Sequence, residues 1–261
     1  MSQVPMNREG MNVPAFMDGT DGTESLSQYI IPPRMKIVQK QSGSPFDERF
    51  NPGDVIVVPQ MLQITDKEKP FYFLPIFFYP EWCVWNPIQM RGTLPVIRER
   101  TLDPNHPLVA KSRDPKLWSE PCPESPEYAL RIVEHLNFVV LLLGDVALSD
   151  TPVVVSFMRA EHRCGSNLAA LIRMRKAPIF GCQFEAHVGH RENQKGSWFG
   201  IDVGNPSDQT ICGSFVEDEI FFEHCRELHE QYKSSHEASK IVVEYDEGTE
   251  EVPGDSTDTE F

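Results

Sequence analysis

Eight aromatic side chains fall within fifteen residues: Phe71, Tyr72, Phe73, Phe77, Phe78, Tyr79, Trp82 and Trp85. In an extended chain successive side chains point to opposite faces, so strict alternation cannot bury every ring on one side. Core packing is expected for Phe71, Phe73, Phe77 and Phe78. Tyr72, Tyr79, Trp82 and Trp85 carry polar or amphipathic edges, and these are the rings expected to serve at a surface.

The remaining pattern describes a β-rich α+β body with several antiparallel strands and two or three peripheral helices. Residues 34–39 alternate, with Met35 and Ile37 on one side and Arg34 and Lys36 on the other. Asn51, Pro52, Gly53 and Asp54 form a turn before a short buried strand at 55–58. Further strands are expected at 137–143, 153–158, 179–189 and 197–203, the last two joined by a polar turn at 191–196. A helix is predicted to start at Ser125 and Pro126 and to run to about His135. Another covers 166–176, with Leu168, Leu171 and Ile172 as its apolar face. Ser214 and Glu217 form a capping box for a last helix, whose stripe of Phe221, Cys225, Leu228 and Tyr232 should dock on the body. Six prolines within 101–126 predict a long loop there.

Charge divides the chain more sharply than hydropathy does. There are 39 acids against 24 bases, a net charge of −15. Residues 244–261 hold eight acids and no Lys or Arg, and residues 207–243 hold eight acids against three bases. Residues 1–29 hold four acids and one base, whereas 30–206 is nearly neutral at +1. The expected organisation is a flexible leader at 1–28, a body at 29–206, a docked helical segment at 207–243 and an acidic disordered tail at 244–261. No apolar run approaches the roughly 20 residues of a membrane helix, so no membrane partner is expected. The N-terminus lacks the regions of a signal peptide, and six cysteines occur without a CxxC pair, which predicts a cytoplasmic protein (of the host, if viral).

Searches for catalytic motifs find no phosphate-binding Gly-rich loop, nucleophile elbow or HExxH pair, and no cofactor is expected. His162 and Cys164, with Cys182, His187 and His190, are the best metal candidates. Strand parity separates them, placing Cys182 among apolar residues and His187 and His190 on opposite sides, so no metal site is expected. The bases are more informative. Arg159, Arg163, Arg173, Arg175 and Lys176 lie within eighteen residues interrupted by one acid, Glu161. Arg191 and Lys195 occupy the next polar turn, and Arg34, Lys36 and Lys40 the first strand. Local potential rather than net charge attracts phosphates, so such clusters can line a positive groove. Trp198 shares its strand face with Gly200 and Asp202, opposite Phe199, Ile201 and Val203, and makes a candidate stacking platform worth about 1–3 kcal/mol per base.

The chain closes on Asp255, Asp258, Glu260 and Phe261, an acidic run ending in an aromatic that carries the free carboxylate. Such an end suits anchoring, with the ring in an apolar pocket and the carboxylate on a basic rim. With the segments at 31–39 (IPPRMKIVQ), 137–143 (NFVVLLL) and 197–200 (SWFG), this organisation resembles the single-stranded DNA-binding proteins of bacteriophages and bacteria. The resemblance implies an OB-like, partly open antiparallel barrel of five strands. Arg and Lys would neutralise phosphates while Trp198 and the rings at 72, 79, 82 and 85 stack bases. It further implies that the tail competes for the groove and, once released, recruits a polymerase, helicase or recombinase in viral replication or recombination. A homodimer is compatible with this reading. Two other classes stay open: a metal-dependent nucleic-acid enzyme such as a nuclease, and a viral structural or assembly protein using the helix near 214–236 as its interaction surface.

Overall fold

A computed structural model of the chain describes residues 32–237, apart from 41, 43–45, 47, 91, 115–116, 145–147, 149–150, 194–195 and 210–211. The expected leader, the acidic tail with Asp255, Asp258, Glu260 and Phe261, and Lys195 lie outside the described residues. Within them the chain is a β-rich α+β protein built on one large open sheet. Its strands are β1 (Arg34–Ile37), β2 (Val55–Val58), β3 (Leu62–Thr65), β4 (Phe71–Trp85) and β5 (Ile97–Thr101), then β6 (Ser119–Cys122), β7 (Ser125–Leu143), β8 (Val153–Met158), β9 (Phe184–Asn193) and β10 (Gly196–Gly204). Three helices accompany them: α1 (Pro107–Arg113), α2 (His162–Arg175) and α3 (Glu219–Glu237).

The order across the sheet is β10-β9-β4-β7-β8-β1-β2-β3, with β5 added to β4 and β6 added to β7. The sheet is mixed because β1 runs parallel to β8 while the other pairs are antiparallel. This replaces the expected five-stranded antiparallel barrel. The two ends of the strand order, β10 and β3, do not pair. Instead, Gln39 just beyond β1 acts as a substitute strand for the edge of β10. Its Nε2 donates to the Phe199 carbonyl and its Oε1 accepts from the Phe199 amide, each at 2.8 Å. A side-chain amide thereby satisfies edge groups that would otherwise invite pairing with another chain.

The spine is the antiparallel pair β4–β7, in register from Tyr72 opposite Leu143 to Trp85 opposite Arg131, with a bulge between Pro75 and Phe77. Alternation along these strands feeds both faces. Phe138, Val140 and Leu142 of β7, with Phe73, Val155, Phe157, Phe184 and Ile201, face α2 and its Leu168, Leu171 and Ile172. Val139 and Leu141, with Leu74, Ile76, Tyr79 and Val154, face α3. A central strand covered on both sides reads as a continuous apolar run, which is what NFVVLLL is. Beyond the bulge Trp82, Val84, Leu130 and Ile132 pack with Leu108 and Val109 of α1 in a smaller cluster.

The structure redraws four expected elements. Residues 125–135 are strand, not helix. Leu130 and Ile132 point into the α1 cluster while Val133 points to the opposite face, a period of two, and Pro126 sits near the strand start where no ladder donor is required. The proline-rich stretch at 101–126 contains α1 and β6. Pro107 occupies the first helical turn, where its missing N–H is not needed, and His106 Nδ1 accepts from Leu108 N at 3.4 Å. The strand expected at 179–189 begins only at Phe184, after a 3-10 turn at Ile179–Gly181, and continues through Asn193. Finally, α3 is capped by Asp218, whose Oδ1 accepts from Phe221 N at 2.7 Å, rather than by Ser214. The Ser214 carbonyl is occupied by Gln183 N and the Arg175 guanidinium. The stripe of α3 is nonetheless as read: Cys225 is buried, and Phe221, Leu228 and Tyr232 pack around it.

Candidate nucleic-acid interface

The aromatic half of the expected interface is turned inward. Tyr79 and Trp82 are 1% exposed, Trp85 is 3% and Trp198 is 9%. Tyr79 lies beneath α3 and stacks on Phe77 at 6.1 Å. Trp85 lies parallel to His135, ring centroids 5.7 Å apart, and its Nε1 donates to His135 Nε2 at 3.2 Å. The Trp198 indole donates to Glu161 Oε1 at 3.3 Å. None of these four rings offers a face to a base, which corrects the stacking platform. The polar edges of Trp85 and Trp198 serve hydrogen bonds inside the protein, while Tyr79 and Trp82 are held by packing alone, their OH and Nε1 buried without a hydrogen-bond partner among the described residues. Both faces of β4 are covered, one by α3 and the other by the α2 and α1 clusters. Tyr72 is half-buried, and burial together with the nearby Glu185 and Asp208 pushes its phenol up, an acidic setting unsuited to phosphates.

The basic half splits into structural and free groups. Arg34 is buried in β1, and Lys36 Nζ sits 4.0 Å over the Phe46 ring. Arg159 lies 5.2 Å over the Trp85 ring. Arg175 ties three segments together: it donates to the carbonyls of Gln183 (2.9 Å) and Ser214 (2.6 Å) and to Asn205 Oδ1 (2.6 Å), with its guanidinium 4.0 Å over Phe184. Arg191 donates to Glu161 Oε1 at 3.0 Å, Asp202 Oδ1 at 2.9 Å and the Ile201 carbonyl at 3.1 Å. Gly200 makes room for this knot, since a Cβ there would collide with the Glu161 carboxylate and Arg191 Nε. The glycine beside Trp198 thus serves a half-buried ion pair, not a stacked base.

Lys40, Arg163, Arg173 and Lys176 remain exposed. Three of these belong to α2 or its C-cap, and α2 contains no acid along its whole length. Its outward face runs through Arg163, Ser166, Asn167, Ala170, Arg173 and Met174, all exposed, and ends at Lys176. The bases at its C-terminal end also complement the helix dipole. The arrangement is a short convex strip of fixed positive charge, with Ser166, Asn167 and Ala170 between Arg163 and Arg173 and the exposed Met174 between Arg173 and Lys176.

Beneath the opposite face of the sheet lies a buried polar cluster. Glu81 pairs with Arg100 at 3.6 Å and accepts from Asn137 Nδ2 at 3.4 Å, and Ser156 donates to Asn137 Oδ1 at 2.6 Å. His135 is fully buried there, and desolvation first, then the nearby Arg34, Arg159 and Arg100, hold its pKa well below the ordinary value. The folded protein therefore keeps this imidazole neutral where the unfolded chain binds a proton. Stability is full above the ordinary histidine pKa of about 6.5 and falls as pH drops through it, by about 1 kcal/mol between pH 6 and pH 5. His236, also lowered by burial, adds in the same direction. In His135→Gln the urea midpoint should vary less over this window; an equally steep fall would assign the effect elsewhere.

Among the described residues no group of three or more His, Cys, Asp or Glu could hold a metal ion. His162 bonds Glu134 at 3.0 Å, His187 bonds Glu185, and Cys182 is in the core facing α2.

Fold and site together define a β-rich α+β protein whose open sheet carries a helix on each face, with no described helix long and apolar enough to cross a membrane. A family model described as Pam3 phage gp34-like protein matches residues 7–238, most of the chain, and the protein belongs to this phage-related family. No curated protein and no solved structure matches the chain.

Proposed function

We propose that the protein is a non-catalytic single-stranded DNA-binding protein of viral replication or recombination that holds its ligand by charge, without base-specific readout. What supports this reading is the acid-free outward face of α2, where Arg163, Arg173 and Lys176 stand exposed on a body of near-neutral charge. Phosphates would lie along this strip, and Lys40 extends the exposed positive charge of the body. Stacking plays no part, because the tryptophans are buried. The OB-like groove is accordingly not needed for the reading. In this scheme Asp255, Asp258, Glu260 and Phe261 compete with DNA for the basic strip and, once displaced, engage a replication partner.

Three phosphate contacts release about two counterions from a single strand, so affinity should fall roughly 20-fold between 50 and 200 mM salt. Fluorescence anisotropy of labelled oligo-dT measures this directly. Arg163→Gln, Arg173→Gln and Lys176→Gln together should remove most of the affinity and flatten the salt slope. Unchanged binding by the triple variant would overturn the proposal. Intrinsic tryptophan emission should not change on binding, and truncation before Glu244 should raise affinity.

A second reading, a viral structural or assembly protein, is favoured by Ile220 on α3, which is 83% exposed beside a row of glutamates.

A further inference from the structure

The two longer sheet-packed helices present opposite charges on opposite sides of the molecule. The residues of β7 and β8 that pack with α2 (Phe138, Val140, Val155, Phe157) alternate with those that pack on the α3 side (Val139, Leu141, Val154). The outward surfaces of α2 and α3 therefore look away from one another and cannot meet within one molecule.

Each surface has the same design with the sign reversed. On α2, Met174 is 74% exposed and is bordered by the exposed Arg173 and Lys176. On α3, Ile220 lines a shallow depression with Glu219, Glu223, His224 and Glu227, and the exposed Glu217 and Asp218 precede it. Arg226, bonded to Glu223 at 2.8 Å, is the base nearest this row, and Lys233 lies two turns further along. Large apolar side chains this exposed are few: Leu117, Met174, Phe215 and Ile220 among the described residues. Two of those four therefore sit at the centres of charged rims of opposite sign.

We propose that the α2 surface of one copy docks on the α3 surface of another, Met174 seating in the Ile220 depression while Arg173 and Lys176 face Glu219, Glu223 and Glu227. Because the two patches differ, the contact is heterologous. It leaves an unused patch at each end and propagates into a ring or a filament, unlike a two-fold dimer in which one patch meets itself. The contact does not require DNA and gives the assembly reading a specific partner, a second copy of this chain. It also links the two readings, because a polyanion on α2 and the acidic α3 of a neighbour would occupy the same strip.

Sedimentation velocity of the full chain at low salt tests this with two variants at exposed positions: Arg173→Gln with Met174→Ser, and Ile220→Ser with Glu223→Gln. The wild-type mass should rise with concentration and return towards 29.8 kDa as salt is added. Each variant alone should stay monomeric with an unchanged melting temperature. Their equimolar mixture should form a species of twice the monomer mass and nothing larger, since each supplies the one intact patch the other lacks. A wild type that is monomeric at all concentrations, a variant that associates like the wild type, or a mixture that does not pair would each overturn the proposal. Oligo-dT added to the wild type separates the two claims. Dissolution of the assembly supports the shared strip, whereas an assembly that forms and ignores oligo-dT supports the contact and overturns DNA binding on α2.

Discussion

Exchanging Glu161 for alanine should destabilise the protein by about 3 kcal/mol, the low end for breaking a buried ion pair because the site is partly open. Few side chains in the structure gather as many donors. Its Oε1 accepts from Arg191 Nε (3.0 Å) and Trp198 Nε1 (3.3 Å), and its Oε2 accepts from the Ile201 amide at 3.1 Å. Removing the carboxylate leaves a half-buried guanidinium, an indole N–H and a strand amide without this acceptor, and each unmade bond carries a desolvation cost. Glu161→Gln retains one oxygen and should lose roughly half as much. The position matters beyond stability, because α2 starts at the next residue and Glu161 ties that start to the β9–β10 hairpin. Urea denaturation reads the first effect and near-ultraviolet circular dichroism of Trp198 reads the second. A loss below about 1 kcal/mol in Glu161→Ala would show the knot to be ornamental.

Gly165→Val should have the other large effect, a loss of about 3 kcal/mol with α2 displaced from the sheet. Gly165 lets α2 pack tightly on β8: a Cβ placed there would meet Phe157 Cβ at 2.6 Å, Phe157 Cγ at 2.9 Å and Leu136 Cδ1 at 3.1 Å. The first of these atoms is the root of a buried side chain and cannot swing away. Gly165→Ala is the sharper test of sign. Helix propensity alone favours alanine over glycine by about 1 kcal/mol, whereas the collision opposes it by about 1–3 kcal/mol. The prediction is net destabilisation. A stabilised Gly165→Ala would mean that α2 stands further from the sheet than described, and would also loosen the placement of the basic strip.

Much of the local structure was legible in the residues. The runs at 55–58 and 153–158 are strands β2 and β8 with the bounds they suggested, and the α3 stripe docks through the side chains that its spacing picked out. The helix expected at 166–176 is there, begun one turn earlier. The failure at 125–135 has a definite cause. Leu130, Val133 and Leu136 fit a helical spacing while Leu130, Ile132 and Leu136 fit a strand, and a Ser-Pro start suits either. Pairing with β4, distant in sequence, and with β6, the hairpin partner that ends at Cys122, selected the strand. The candidate site was legible only as a set of bases. Arg175 bonding to Ser214 and Arg191 bonding to Glu161 join residues 39 and 30 positions apart, so nothing local distinguished them from the exposed Arg163 and Arg173.

The eight rings between Phe71 and Trp85 show where the division lies. Alternation by itself determined that they populate both faces of one strand, just as the charge pattern determined that the excess of acids over bases lies outside residues 30–206. Periodicity says which side of an element a residue occupies, because backbone geometry is local. Whether that side meets water depends on what covers it, and here α3 covers one side of β4 while α2 and α1 cover the other. Tertiary structure therefore decided that the tryptophans are core, that Arg175 and Arg191 are ties, and that Arg163, Arg173 and Lys176 stay exposed along α2 and its cap.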